Sequence, residues 1–117
     1  MKRVLITDDA VFMRVSLKAM LERNGFEVVG EAENGAIALD KYKILKPDIV
    51  TLDITMPIMD GLEALKQIKA FDKNSKVIMI SAMGQESIVR EAVISGATGF
   101  VIKPFNEETI IKVFSKL

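Results

Sequence analysis

The chain has 117 residues, half of them hydrophobic, and 16 Lys and Arg balance 16 Asp and Glu. A balanced charge offers no general attraction to nucleic acid or an anionic membrane, so neither is expected as a partner. Cysteine and histidine are absent, which excludes disulfides, thiolate nucleophiles, imidazole ligands and a histidine general base. The length suits one domain, residues 1–117, with an ordinary core. No apolar stretch approaches the ~18 residues of a membrane helix and no leader precedes the first apolar run, so a cytoplasmic protein is expected.

The run Val4-Leu5-Ile6-Thr7 predicts a first strand, ending at Asp8 and Asp9. Helical spacing follows from Val11 to Arg23, and Asn24-Gly25 supplies a left-handed stop. Phe26 to Gly30 reads as a second strand, less apolar than the others and therefore near an edge. A helix after Asn34-Gly35 places Ala38, Tyr42 and Leu45 on one face before Pro47 halts it. Ile49 to Leu52 predicts a third strand, ending at Asp53. Asp60, with Glu63 three residues on, has the spacing of a capping box and opens a third helix with Leu65 and Ile68 inside.

Asp72 to Ser75 turns the chain into a fourth strand, Val77 to Ile80, which ends at Ser81. The fourth helix puts Ile88, Ala92 and Val93 on one face and stops at Gly96. A fifth strand, Phe100 to Ile102, ends at Lys103. Asn106 caps the last helix, Glu107 and Glu108 suit its positive end, and Ile110, Ile111, Phe114 and Leu117 face inward.

Strands alternating with helices predict an α/β fold whose parallel sheet is covered on both faces, because parallel strands need crossover connections. Right-handed crossovers permit several strand orders. The flavodoxin-like order 2-1-3-4-5 is the one that places the topological switch between strands one and three, where Asp8, Asp9 and Asp53 would meet at the C-terminal edge.

Crowded carboxylates repel, and a bound cation is one relief. Oxygen-only ligands favour a hard ion, Mg²⁺ or Mn²⁺ in its place. Asp53 is then a candidate nucleophile toward phosphorus, with Lys103 as a point charge from another strand. Lys103-Pro104 at a strand end suits a cis peptide. Each residue also has a plain structural reading. Asp8 or Asp9 could cap the first helix, Ser81 could be an ordinary strand-end hydroxyl, and Phe100 could be core packing. Met56 and Met59 flank the site, and most other methionines fill core or loops.

Four spaced motifs carry a resemblance that covers the whole chain. They are Val4-Leu5-Ile6-Thr7-Asp8-Asp9, Leu52 to Gly61 (LDITMPIMDG), Ile80-Ser81-Ala82 and Lys103-Pro104-Phe105. Together they resemble the response-regulator receiver-domain family of two-component signalling. The resemblance implies that a partner histidine kinase phosphorylates Asp53. It implies that Asp8, Asp9, Asp53 and the Thr55 carbonyl bind Mg²⁺, and that Ser81 and Lys103 contact the phosphoryl group.

Phe100 occupies the position of the family's rotating aromatic residue, without the phenolic hydroxyl common there in chemotaxis members. Ser81 and Phe100 would be the switch that remodels the surface of helix four, strand five and helix five. The segments Asp9 to Arg14, Met59 to Gly61 and Ser81 to Gln85 are most similar to stand-alone chemotaxis regulators. That similarity implies a monomeric signalling protein, not a turnover enzyme, expected to take phosphoryl groups from acyl phosphates and to lose them by itself. Its partners would be a chemotaxis histidine kinase, a flagellar or archaellar motor switch protein or adaptor, and a phosphatase.

Other readings are a phosphorelay intermediate, an aspartyl-phosphate phosphatase and a flavodoxin-like cofactor binder or unphosphorylated interaction module. The phosphatase reading wants a general acid two residues beyond the nucleophile, where this chain has Thr55. The flavin reading lacks a phosphate-cradling loop after strand one.

Overall fold

In a computed structural model, which describes residues 1–117, the apolar runs form five strands and the segments of helical spacing five helices. They alternate as β1 (Arg3–Thr7), α1 (Val11–Arg23), β2 (Glu27–Ala32), α2 (Gly35–Leu45), β3 (Ile49–Leu52), α3 (Gly61–Phe71), β4 (Val77–Ser81), α4 (Glu86–Ile94), β5 (Gly99–Ile102) and α5 (Glu107–Phe114). All neighbouring strands pair in parallel, in the order β2-β1-β3-β4-β5. β2 is an edge, as its composition predicts.

The period of two along each strand divides the core. Leu5, Val50, Leu52, Val77 and Met79 point to the face covered by Ala38 and Tyr42 of α2, Ala64, Leu65 and Ile68 of α3, and Ala92 of α4. Val4, Ile6, Ile49, Ile78, Ile80 and Val101 point to the other face, under Leu17 and Leu21 of α1 and Ile110 and Phe114 of α5. Because both faces are covered, the interiors of the central strands are largely apolar, with Thr51 the polar residue inside β3, and the site's polar residues collect at strand ends. No helix is long and apolar enough to cross a membrane.

Two helix starts follow the predicted cap chemistry, the Asp60 and Asn106 side chains accepting from the backbone N–H groups of Glu63 and Thr109. Asn34 caps α2 in the same way from Ile37, so that helix begins at Gly35 and not after it. The reciprocal half of the box at Asp60 is not made, since the Glu63 carboxylate accepts from Gln67 Nε2 at 2.9 Å. β2 lies later than Phe26–Gly30, because its ladder to β1 continues to the pair Thr7 and Ala32. Phe26 instead packs edge-on against Phe114, with ring centroids 5.3 Å apart. Val93 is 59% exposed, not inward, so the inner stripe of α4 narrows to Ala92 with Ile88 half-buried beside it.

Candidate functional site

β1 and β3 are adjacent, with Thr7 level with Leu52, so the residues that follow them emerge side by side. Asp8 and Asp53 are buried and Asp9 is exposed. One carboxylate oxygen from each lies within 4.8 Å of the others. Asp8 Oδ1 accepts from the Ala10 N–H at 2.9 Å and Asp53 Oδ1 from the Ile54 N–H at 2.7 Å. Neither acid caps α1: the cap position is Ala10, with no side-chain hydrogen bond. The purely structural explanation of the pair therefore loses its main support.

Lys103 enters from the end of β5. Its peptide to Pro104 is cis, and its backbone N–H donates to the Ser81 carbonyl at 2.9 Å. Its Nζ donates to Asp8 Oδ2 at 2.7 Å and to Asp53 Oδ2 at 3.1 Å. Burial pushes the ammonium toward deprotonation, but the hydrogen bonds and charges of Asp8 and Asp53 together outweigh it and hold its pKa above the ordinary lysine value.

Ser81 closes β4 at the same edge. It is buried, and its Oγ accepts from the Met83 N–H at 3.1 Å, which leaves its own O–H available as a donor. Thr55 is exposed on the loop after β3, and its hydroxyl donates to Met83 Sδ at 3.2 Å, so the two residues join across the edge. Phe100 is half-buried against the α2–α4 side of the core, where Met83, Ile88 and Ala97 also pack.

The β3–α3 loop returns through a three-residue turn. Ile58 has φ +69°, and the Met59 N–H donates to the Pro57 carbonyl at 2.7 Å. The turn presses Gly61 onto the exit of β3, where a Cβ would overlap the Asp53 carbonyl oxygen. Only glycine permits that approach.

Two residues of this edge escape sequence reasoning. Arg14 Nη1 donates to the Asp8 carbonyl at 2.6 Å, and its Nε pairs with Glu31 Oε1 at 3.0 Å. Arg14 looks like a solvated helix residue in the sequence, and Glu31 lies 17 positions away on β2. Only the sheet order could have signalled the contact.

The donor set suits a hard cation. It offers carboxylate oxygens from two strand ends, no sulfur or nitrogen ligand, and open solvent on the Asp9 side.

The pattern of the response regulator receiver domain matches residues 4–115. The chain belongs to this family. As a receiver domain it is 54% identical to the chemotaxis protein CheY of Bacillus subtilis over 114 residues, covering 97% of this chain and 95% of that one. It is 53% identical to CheY of Thermotoga maritima over 116 residues, covering 99% and 97%. The receiver fold also superimposes on CheY in the crystal structure of a CheX-CheY-BeF3-Mg complex from Borrelia burgdorferi, with a TM-score of 0.95 and 43% identity, covering 98% of this chain and 87% of that one.

Proposed function

We propose that residues 1–117 act as a single receiver domain that accepts a phosphoryl group on Asp53 and passes the signal on by changing its surface. One observation carries the reading: a lysine from β5 bridges carboxylates from β1 and β3, with Asp9 beside them. Three strand ends far apart in sequence converge on one polar point, and core packing alone does not call for that.

Asp8, Asp9 and Asp53, with the Thr55 carbonyl, would hold the metal. Mg²⁺, or Mn²⁺ in its place, would neutralise phosphoryl oxygens during transfer. An Asp53 carboxylate oxygen forms the new bond to phosphorus. The bond from phosphorus to the donor breaks, and the donor leaves with that electron pair. Lys103 moves its charge from the two carboxylates toward the incoming phosphoryl oxygens, and the Ser81 hydroxyl donates to one of them.

Residues 1–117 hold no histidine, so a phosphohistidine donor would lie outside them, and a histidine kinase fits. The CheY relatives support a chemotaxis role. The face of α4, β5 and α5, where Val93, Ile94 and Ile102 are exposed, suits an output partner such as a motor switch protein or adaptor. The Borrelia relative crystallised with CheX, which supports a further protein partner, and a phosphatase is the kind proposed. Ser81 and Phe100 are the proposed switch, and a cytoplasmic monomer completes the reading.

The test is intact mass after incubation with a small acyl phosphate, with Mg²⁺ or with a chelator. One phosphoryl addition that needs Mg²⁺ and disappears in Asp53→Asn is expected. A folded, Mg²⁺-binding protein that gains no mass would sink the reading.

A further inference from the structure

The turn between β1 and α1 must hold two acids without a helix cap. The Asp8 N–H donates to the Ala32 carbonyl of β2 at 3.0 Å, and no backbone N–H reaches the Asp8 carbonyl. Arg14 fills that role from one turn into α1. Its side chain is 13% exposed, and its guanidinium divides its donors between the Asp8 carbonyl at 2.6 Å and Glu31 Oε1 at 3.0 Å. Lys41 of α2 donates in turn to the Glu31 carbonyl. Both polar backbone groups of Asp8 are thus tied to β2, one directly and one through Arg14.

We propose that Arg14 is a positioning residue for the Asp8-Asp9 pair, with Glu31 as its anchor. The proposal rests on the reading of Asp8, Asp9 and Asp53 as a Mg²⁺ site. Arg14 touches no carboxylate of that site; it fixes the peptide from which the Asp8 carboxylate projects. Arg14 meets the carbonyl and the carboxylate with two different nitrogens held in one plane, Nη1 and Nε, whereas a lysine at this position has a single nitrogen on a flexible stem for both acceptors.

Charge and position predict opposite signs. A guanidinium near the acids repels a divalent cation, so a pure charge effect makes Mg²⁺ bind more tightly when Arg14 is removed. Loss of positioning makes it bind more weakly, because Asp8 is no longer pre-set, and outer residues of this kind are worth about tenfold in metal affinity.

Calorimetric Mg²⁺ titration of the full chain tests this, with urea unfolding of each variant as the check on folding. R14M and R14K are both expected to weaken Mg²⁺ about tenfold. R14M with E31Q is expected to be no weaker than R14M alone, because both residues act through one contact. Equal or tighter Mg²⁺ binding by R14M overturns the proposal. Should R14M fail to fold, unchanged affinity in R14K and E31Q overturns it equally. Saturable Mg²⁺ uptake by the unaltered chain that is lost in D8N establishes the site itself. Its absence overturns that reading, and the role of Arg14 with it.

Discussion

The Lys103 ammonium lies 3.1 Å from the Asp53 carboxylate, although the two residues are 50 apart in sequence. The same nitrogen is 2.7 Å from Asp8, so one cation separates two buried acids. Removing it leaves those charges uncompensated in a poorly solvated place. Lys103→Met is therefore expected to lose about 2 kcal/mol of stability without Mg²⁺, and to regain part of it when Mg²⁺ is added. The pKa of Lys103 is raised, so its contribution is complete below the ordinary lysine value of 10.5 and disappears as pH climbs through the raised one. Urea unfolding of both proteins, with and without Mg²⁺ and across alkaline pH, checks this. Equal stability of the two without metal would remove the ion pair from the account.

Ser81 Oγ accepts from the Met83 N–H and keeps its proton free. If that hydroxyl turns toward a phosphoryl group on Asp53, the Met83 amide loses its acceptor or has it reoriented. A large shift of the Met83 amide resonance on phosphorylation is expected. Ser81→Ala is expected to speed hydrogen exchange at Met83 before any phosphorylation. A Met83 resonance that stays in place while Asp53 is fully modified would show that Ser81 is not part of the switch.

Gly61 starts α3 with no room for a side chain, because a Cβ there would overlap the Asp53 carbonyl oxygen. Its N–H also donates to the Ile54 carbonyl at 2.8 Å, so the helix start and the strand exit are locked together. Gly61→Ala must push the Asp53 backbone aside and is expected to cost about 3 kcal/mol. Phosphoryl uptake should fall as well, since the acceptor is displaced. Chemical denaturation and intact mass read the two effects, and a variant with unaltered stability would contradict the close approach.

These cases show which features could be read from the sequence. The central strands were legible because a sheet buried on both faces needs largely apolar runs, and Asp60 and Asn106 marked helix starts through local cap chemistry. The gathering of Asp8, Asp9, Asp53 and Lys103 was legible because each ends an apolar run or directly follows one that does. The end of β2 was not, because Glu31 and Ala32 pair through backbone, which carries no hydropathy signal. Val93 misled for a related reason: a helical stripe gives spacing, while the width of the buried face depends on how α4 lies on the sheet. The contact of Arg14 with Asp8 joins a side chain to a carbonyl, and a carbonyl is the same for every residue type.

Tyr42 offers a test at the opposite end of the sheet. Its hydroxyl donates to Asp72 Oδ2 at 3.0 Å, joining α2 to the turn after α3. Burial first, then the hydrogen bond and the charge of Asp72, push the phenol up to about 12 from 10.0, against a smaller opposing effect of Ser75. A raised phenol pKa means that the folded state holds this proton more tightly. The stabilisation is thus whole below pH 10.0 and falls away as pH rises toward 12. The chain has one tyrosine and no tryptophan, so the ultraviolet signal of the phenolate belongs to Tyr42 alone. A midpoint near 12 is expected while the protein stays folded, moving down toward the ordinary value in Asp72→Asn. A folded-state midpoint near 10 would mean that the phenol reaches water and that the α2–α3 tie does not persist in solution.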